Sequence, residues 1–212
     1  GLPHKSTMAL STRVQTCLLW NNSVQTTTGE WAEEGGETSE VSDLVNRWDD
    51  AGVNSNNAVQ STAANSPRQI ADGGVQFYHY ADGAEHADYM TFTKFTVSSR
   101  TPFMCFLVAN LTDINTSCYL SDDGSEVMQY TSGTVQQLKT GTNSNMNHSS
   151  TFSISNGEKH LFVMERDSSD NIYLYKNGLK HDPSTTNSGD FDILTLGAKN
   201  ISSDSNYFDG IM

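Results

Sequence analysis

A chain of 212 residues with 25 acids against 12 lysines and arginines carries a formal net charge of −13. That balance speaks against a nucleic-acid backbone or an anionic membrane as partner. No apolar run approaches the roughly 20 residues that span a bilayer. The length suits one large β domain.

Gly1-Leu-Pro-His-Lys-Ser6 has no signal-peptide core behind it, so residues 1–13 are expected to form an N-terminal arm. The cysteines, Cys17, Cys105 and Cys118, are an odd and sparse set that builds no disulfide framework. Folding in a reducing cytosol is the simplest account. Cys105 lies inside Phe103-Met-Cys-Phe-Leu-Val108 and reads as a buried small apolar residue.

Runs rich in β-formers predict strands over 14–20, 57–61, 74–80, 88–92, 102–109, 117–121, 126–131 and 134–139. Further strands are predicted over 150–155, 159–166, 171–176, 190–196 and 206–212. Asp123-Gly124, Asn156-Gly157 and Asn177-Gly178 each separate two such runs and suit tight turns. Val41, Leu44, Val45 and Trp48 have helical spacing, but over about two turns only, and the segment is read as strand or irregular structure. Glu30, Glu33, Glu34, Glu37 and Glu40 stand among glycines in an acidic loop. Many short strands with these turns predict an all-β, two-sheet antiparallel sandwich over residues 14–212.

Three late motifs run in order: Asn171-Ile-Tyr-Leu-Tyr-Lys-Asn-Gly178, Phe191-Asp-Ile-Leu-Thr-Leu-Gly197 and Asn206-Tyr-Phe-Asp-Gly-Ile211. Before them come Trp48-Asp-Asp-Ala-Gly-Val-Asn54, with Ala58, Gln60 and Pro67, then Gly73-Gly-Val-Gln-Phe77 and Asp88-Tyr-Met90. This series resembles the laminin-G-like branch of the concanavalin A-like lectin/glucanase superfamily, of the type found in phage and marine viral structural proteins. One departure is an Asp82-Gly83 displaced behind the insertion Tyr78-His-Tyr-Ala81. The resemblance covers about residues 14–212 and implies a jelly roll. It also implies that the strand opened by Gly210-Ile211 continues and pairs near the N-terminal strand. The expectation is therefore that residues beyond 212, or another chain, complete the edge left by Val14 to Trp20.

Several clusters invite a chemical reading. Ser121-Asp-Asp-Gly-Ser-Glu126 offers Asp122, Asp123 and Glu126 to calcium, and Asp167-Ser-Ser-Asp-Asn171 offers Asp167 and Asp170. Neither has the spacing of a dedicated calcium loop, and turn chemistry is the commoner use of such residues. The same holds for Asp49, Asp50 and Asn54 to Asn57. His79, Asp82, Glu85, His86 and Asp88 fit no zinc pattern and read as a polar loop. No metal ligand and no cofactor is assigned, with Ca²⁺ the residual alternative.

A hydrolase of this fold would need paired carboxylates on one strand. Glu165 and Asp167 alternate at a strand end, but a third acid is missing, and no nucleophile motif occurs. No catalytic residue is assigned. Trp31, Tyr78, Tyr80, Tyr119, Tyr130, Tyr173 and Tyr175 are candidate sugar platforms, about half of which should face the core instead. Five Asn-x-Ser/Thr sequons, at Asn21, Asn110, Asn115, Asn147 and Asn200, are ascribed to the Asn- and Ser-rich composition.

The functional expectation is a non-enzymatic structural or adhesive protein of a virion, of the capsid-decoration or tail-fibre kind. Its expected partners are other virion proteins and, weakly, host-surface glycans, within an oligomer or a larger assembly. A secreted bacterial carbohydrate-binding module and a polysaccharide hydrolase are the alternatives.

Overall fold

The computed structural model describes residues 24–27, 44–49, 56–70, 74–78, 87–112, 116–131, 135–139, 146–148, 154–201 and 205–212. Among them are β1 (Val24–Thr27), β2 (Leu44–Trp48), β3 (Ala58–Val59), β4 (Arg68–Gln69), β5 (Val75–Phe77) and β6 (Met90–Val97). Next come β7 (Phe103–Leu111), β8 (Thr116–Ser121), β9 (Val127–Thr131), β10 (Val135–Lys139), β11 (Met146–His148) and β12 (Lys159–Arg166). The last six are β13 (Asn171–Lys176), β14 (Leu179–Thr186), β15 (Phe191–Leu196), β16 (Ala198–Asn200), β17 (Ser205–Tyr207) and β18 (Gly210–Ile211). A 3₁₀ turn at Ala63–Asn65 is the one helical element among the described residues. The segment with ambiguous period is strand: Leu44, Val45 and Trp48 are buried in β2.

Hydrogen-bonded neighbours run β11-β10-β9-β8-β15-β6-β3-β2-β4-β5-β18-β7-β12-β13-β14. All the pairings are antiparallel. This path folds back on itself. Tyr119 of β8 stacks 5.9 Å from Phe162 of β12, and Phe103 of β7 lies 6.2 Å from Phe191 of β15, although these strands are far apart along the path. Rings that meet across such a separation must face each other from two layers. The fold is thus an all-β, two-sheet antiparallel jelly-roll sandwich. Its core includes Phe77, Met90, Leu111, Tyr119, Tyr130, Phe162 and Phe208.

β12 and β13 follow the expected strands residue for residue, at 159–166 and 171–176. Asn177 and Gly178 take φ of 52° and 81°, the two left-handed positions of a type I′ turn. Asp123-Gly124 departs from the expected pattern. The positive φ falls on Asp123 rather than on Gly124, and Asp122 N–H donates to Glu126 O across a longer loop.

Three further expectations are corrected. Of the expected strand 150–155, residues 150–153 lie outside the described residues and Ile154 and Ser155 are not in a strand, while β11, at Met146–His148, was not expected. The expected strand over 206–212 is two pieces, β17 and β18. β14 was not foreseen, because Leu-Lys-His-Asp-Pro-Ser-Thr-Thr is polar and contains Pro183. It ends the path, where a proline removes no ladder bond, and the register shifts around it. Val14 to Trp20, the arm 1–13 and the acidic loop lie outside the described residues. β18 pairs with both β5 and β7.

Candidate functional site

In an antiparallel sandwich one face of each strand packs inside and the other is usually polar. Phe103-Met-Cys-Phe-Leu-Val108 has no such alternation, so β7 must show apolar side chains on both faces. Phe103, Cys105 and Leu107 pack against the core. Met104, Phe106 and Val108 point the other way and are 47%, 64% and 51% exposed. Burial pushes the Cys105 thiol up to about 11, which leaves it an inert core group.

Register carries this apolar row across the sheet. Phe106 stands opposite Val163 of β12, which stands opposite Tyr175 of β13, opposite in turn Lys180 of β14. The row beside it is Met104, Glu165 and Tyr173; on the other side Val108 faces Leu161. Val163 is buried by its neighbours, while Leu161, Tyr173 and Tyr175 are half-buried. Polar groups border the block: Glu165 and Lys180 on one side, and Lys159, opposite Asn110, at the other end. The Tyr175 hydroxyl donates to Glu165 Oε2 at 2.7 Å, and Lys180 Nζ sits 3.4 Å from the centroid of the Tyr173 ring.

The remaining candidate aromatics divide sharply. Tyr119 and Tyr130 are fully buried and cannot reach a ligand. Tyr78 is half-buried, with the Arg68 guanidinium 5.3 Å from its ring centroid. Trp31 and Tyr80 lie outside the described residues.

The acidic turns are occupied by turn chemistry. Asp167 Oδ1 accepts the N–H groups of Ser169 at 2.8 Å and Asn171 at 2.9 Å, and its Oδ2 accepts the Asn171 amide at 3.0 Å. These bonds, led by the Asn171 side chain, hold its carboxyl below the ordinary range. Asp170 takes φ of 65° at the end of that turn. Asp122 Oδ1 accepts Glu126 N–H, Asp123 Oδ1 accepts Ile201 N–H, and Glu126 Oε2 accepts Asp192 N–H. Each of these carboxylates accepts a backbone N–H, and no three potential ligands converge among the described residues. Glu165 and Asp167, the nearest approach to an acid pair, are bound to Tyr175 and to the turn respectively.

A shallow groove of about 420 Å³ lies beside β2 and β3. Its polar lining is largely engaged within the protein. Gln60 donates to Tyr89 O and accepts Thr62 N–H, the Ser66 hydroxyl donates to Thr62 O, and Arg47 pairs with Asp49.

Of the polar loop from His79 to Asp88, residues 79–86 lie outside the described residues. Asp88 itself is buried. Its Oδ2 accepts Tyr78 N–H at 2.9 Å while its own N–H donates to Tyr78 O at 3.2 Å, clamping the two ends of the loop. Burial pushes its carboxyl up to about 7, against the smaller opposing pulls of the Tyr78 N–H and Arg68. The folded protein therefore holds a proton that the unfolded chain releases near 3.8. This contribution to stability is present at low pH and is lost as pH rises to about 7. Asp88→Asn keeps a carbonyl for the Tyr78 N–H but does not titrate. The difference in unfolding free energy between variant and wild type should grow in the variant's favour from pH 4 to 7, measured by urea titration at each pH. A difference that is flat with pH would show that Asp88 is ionised throughout.

No family model matches the chain, and no curated protein does. Among solved structures it is similar to beta-agarase A from Zobellia galactanivorans, with a TM-score of 0.36 and 13% identity, over 85% of this chain and 78% of that one. A likeness at that level carries no argument about substrate or activity.

Proposed function

We propose that the chain is a non-enzymatic structural or adhesive module of a virion, of the capsid-decoration or tail-fibre kind, which works by presenting a rigid contact surface. The observation that carries this reading is the exposed apolar block of Met104, Phe106 and Val108, extended by Leu161 and Val163 on the neighbouring strand. Exposed side chains of this size side by side on a rigid sheet mark an interaction surface. The engagement of Glu165 and Asp167 by their neighbours supports contact rather than catalysis.

Electron microscopy with an antibody against this domain, applied to purified particles, tests the location. Regular labelling of capsid or fibre is expected. Unlabelled particles alongside abundant free protein would refute it.

A second, weaker activity rests on Tyr173 and Tyr175. They are half-buried on the same face beside Glu165, where rings can stack on a sugar. Millimolar glycan binding that Tyr173→Ala and Tyr175→Ala both abolish is the expected result on an array.

A further inference from the structure

We propose that the outer face of β7, β12 and β13 is the contact between two copies of this chain, packed face to face about a two-fold axis. The inference rests on reading that face as a contact surface and names what covers it. Three observations select a second copy as the occupant.

The first is the layout of the block. Met104, Phe106, Val108, Leu161 and Val163 form an apolar centre on two adjacent strands, and Tyr173, Tyr175, Glu165 and Lys180 lie along one side. An apolar centre with a polar rim is the anatomy of a protein–protein interface, and it is richer in aliphatic side chains than a sugar platform is.

The second is charge. The chain as a whole is −13, so most of its surface repels a copy of itself. Among the described residues this face carries one acid, Glu165, and two bases, Lys180 and Lys159, the latter beyond Leu161 on β12. A two-fold contact can set the Lys180 of each copy near the Glu165 of the other, so the face is self-complementary in sign as well as in hydrophobicity.

The third is size. Four strands about 4.8 Å apart and three rows of side chains about 7 Å apart make a block on the order of 400 Å². That is about half of the roughly 800 Å² that each partner contributes to a standard interface. The residues that border the block on the same strands would supply the rest of the area.

Sedimentation velocity on the full chain tests the proposal. Wild type should form dimers at micromolar concentration. Raising the salt from about 50 to about 500 mM should tighten them, since screening removes the repulsion between two acidic bodies and leaves apolar contact intact. Phe106→Asp should weaken the dimer at least about tenfold. Phe106 and Val108 are both more than half exposed, so neither substitution disturbs the core. Should Phe106→Asp prove misfolded by circular dichroism, Val108→Lys serves in its place.

A wild type that stays monomeric at about 100 µM overturns the proposal and leaves the face to a different partner, a glycan or a foreign protein. A dimer that survives the substitution in a folded variant also overturns it, because the contact then lies elsewhere. A dimer lost with Phe106→Asp, together with unlabelled particles, would uphold this inference while refuting the virion location.

Discussion

Gly210→Ala is expected to lower stability by about 3 kcal/mol or more, a size reserved for substitutions that the backbone cannot absorb. A Cβ at Gly210 would stand 2.1 Å from Asn110 O and 3.0 Å from both Asn110 C and Leu111 Cα. All three are backbone atoms of β7, so no rotamer change relieves the clash. The residue also has φ of 150°, which L side chains rarely adopt. Its position magnifies the effect. β18 is only two residues long and lies between β5 and β7, with Gly210 opposite Phe77 on one side and Leu111 on the other. Pushing it away from β7 breaks the two-residue link that joins β5 to β7. Two other glycines supply a scale. Gly157 has φ of 80° with open space around it, so Gly157→Ala should cost about 1 kcal/mol from conformation alone. A Cβ at Gly124 meets only the flexible Asp122 carboxylate, at 3.3 Å, and Gly124→Ala should be nearly neutral. Chemical denaturation of the three variants should rank them in that order. If Gly210→Ala proves no worse than Gly157→Ala, the close approach of β18 to β7 is wrong.

Arg166→Met should be comparably damaging. Arg166 is completely buried, and no carboxylate among the described residues bonds to its guanidinium. The group donates instead to four backbone carbonyls: Nε to Thr101 O at 2.9 Å, Nη2 to Ser98 O at 2.8 Å, and Nη1 to Gly189 O and Asn187 O. Its plane lies over the Phe103 ring, 5.1 Å from the centroid. One side chain thus satisfies acceptors from the β6–β7 turn and from the segment between β14 and β15. Met has similar bulk but no donors. It would leave those carbonyls without their buried partner, at about 1–3 kcal/mol each before they relax toward water. A loss of about 3–5 kcal/mol is expected, the size reached when a buried hydrogen-bond network is broken. Arg166→Lys keeps the charge but not the planar fork, and should fall between the two. Measured by urea denaturation, an Arg166→Met protein as stable as wild type would show that the two turns are held by something else.

Strands β12, β13 and β15 were legible because each carries its own local signal. Ile172 and Leu174 alternate with Tyr173 and Tyr175, and Asn177-Gly178 can adopt left-handed backbone without a partner's help. Strand existence and turn type are properties of a few consecutive residues, and such residues settled them in β12, β13 and β15. The Asp167 turn was legible for the same reason, since Asp167 bonds to groups only two to six residues away.

Which face of a strand meets the core depends on residues far away in sequence, and here the tertiary structure decided. Tyr119 and Tyr173 look alike as strand tyrosines, yet one packs on Phe162 and Phe208 while the other lies under Lys180 at the surface. The contact face shows the same limit. The unbroken apolar run 103–108 announces a strand with two apolar faces, but its continuation through Val163 and Tyr175 exists only through cross-strand register. Arg166 reads in sequence as one more charged residue at a strand end. Only the meeting of carbonyls from Ser98, Thr101, Asn187 and Gly189 makes that position one where a buried cation is stable. Local backbone preference is written in neighbouring residues. Burial, register and the pairing of buried polar groups are long-range quantities, which arise only once the two layers have closed on each other.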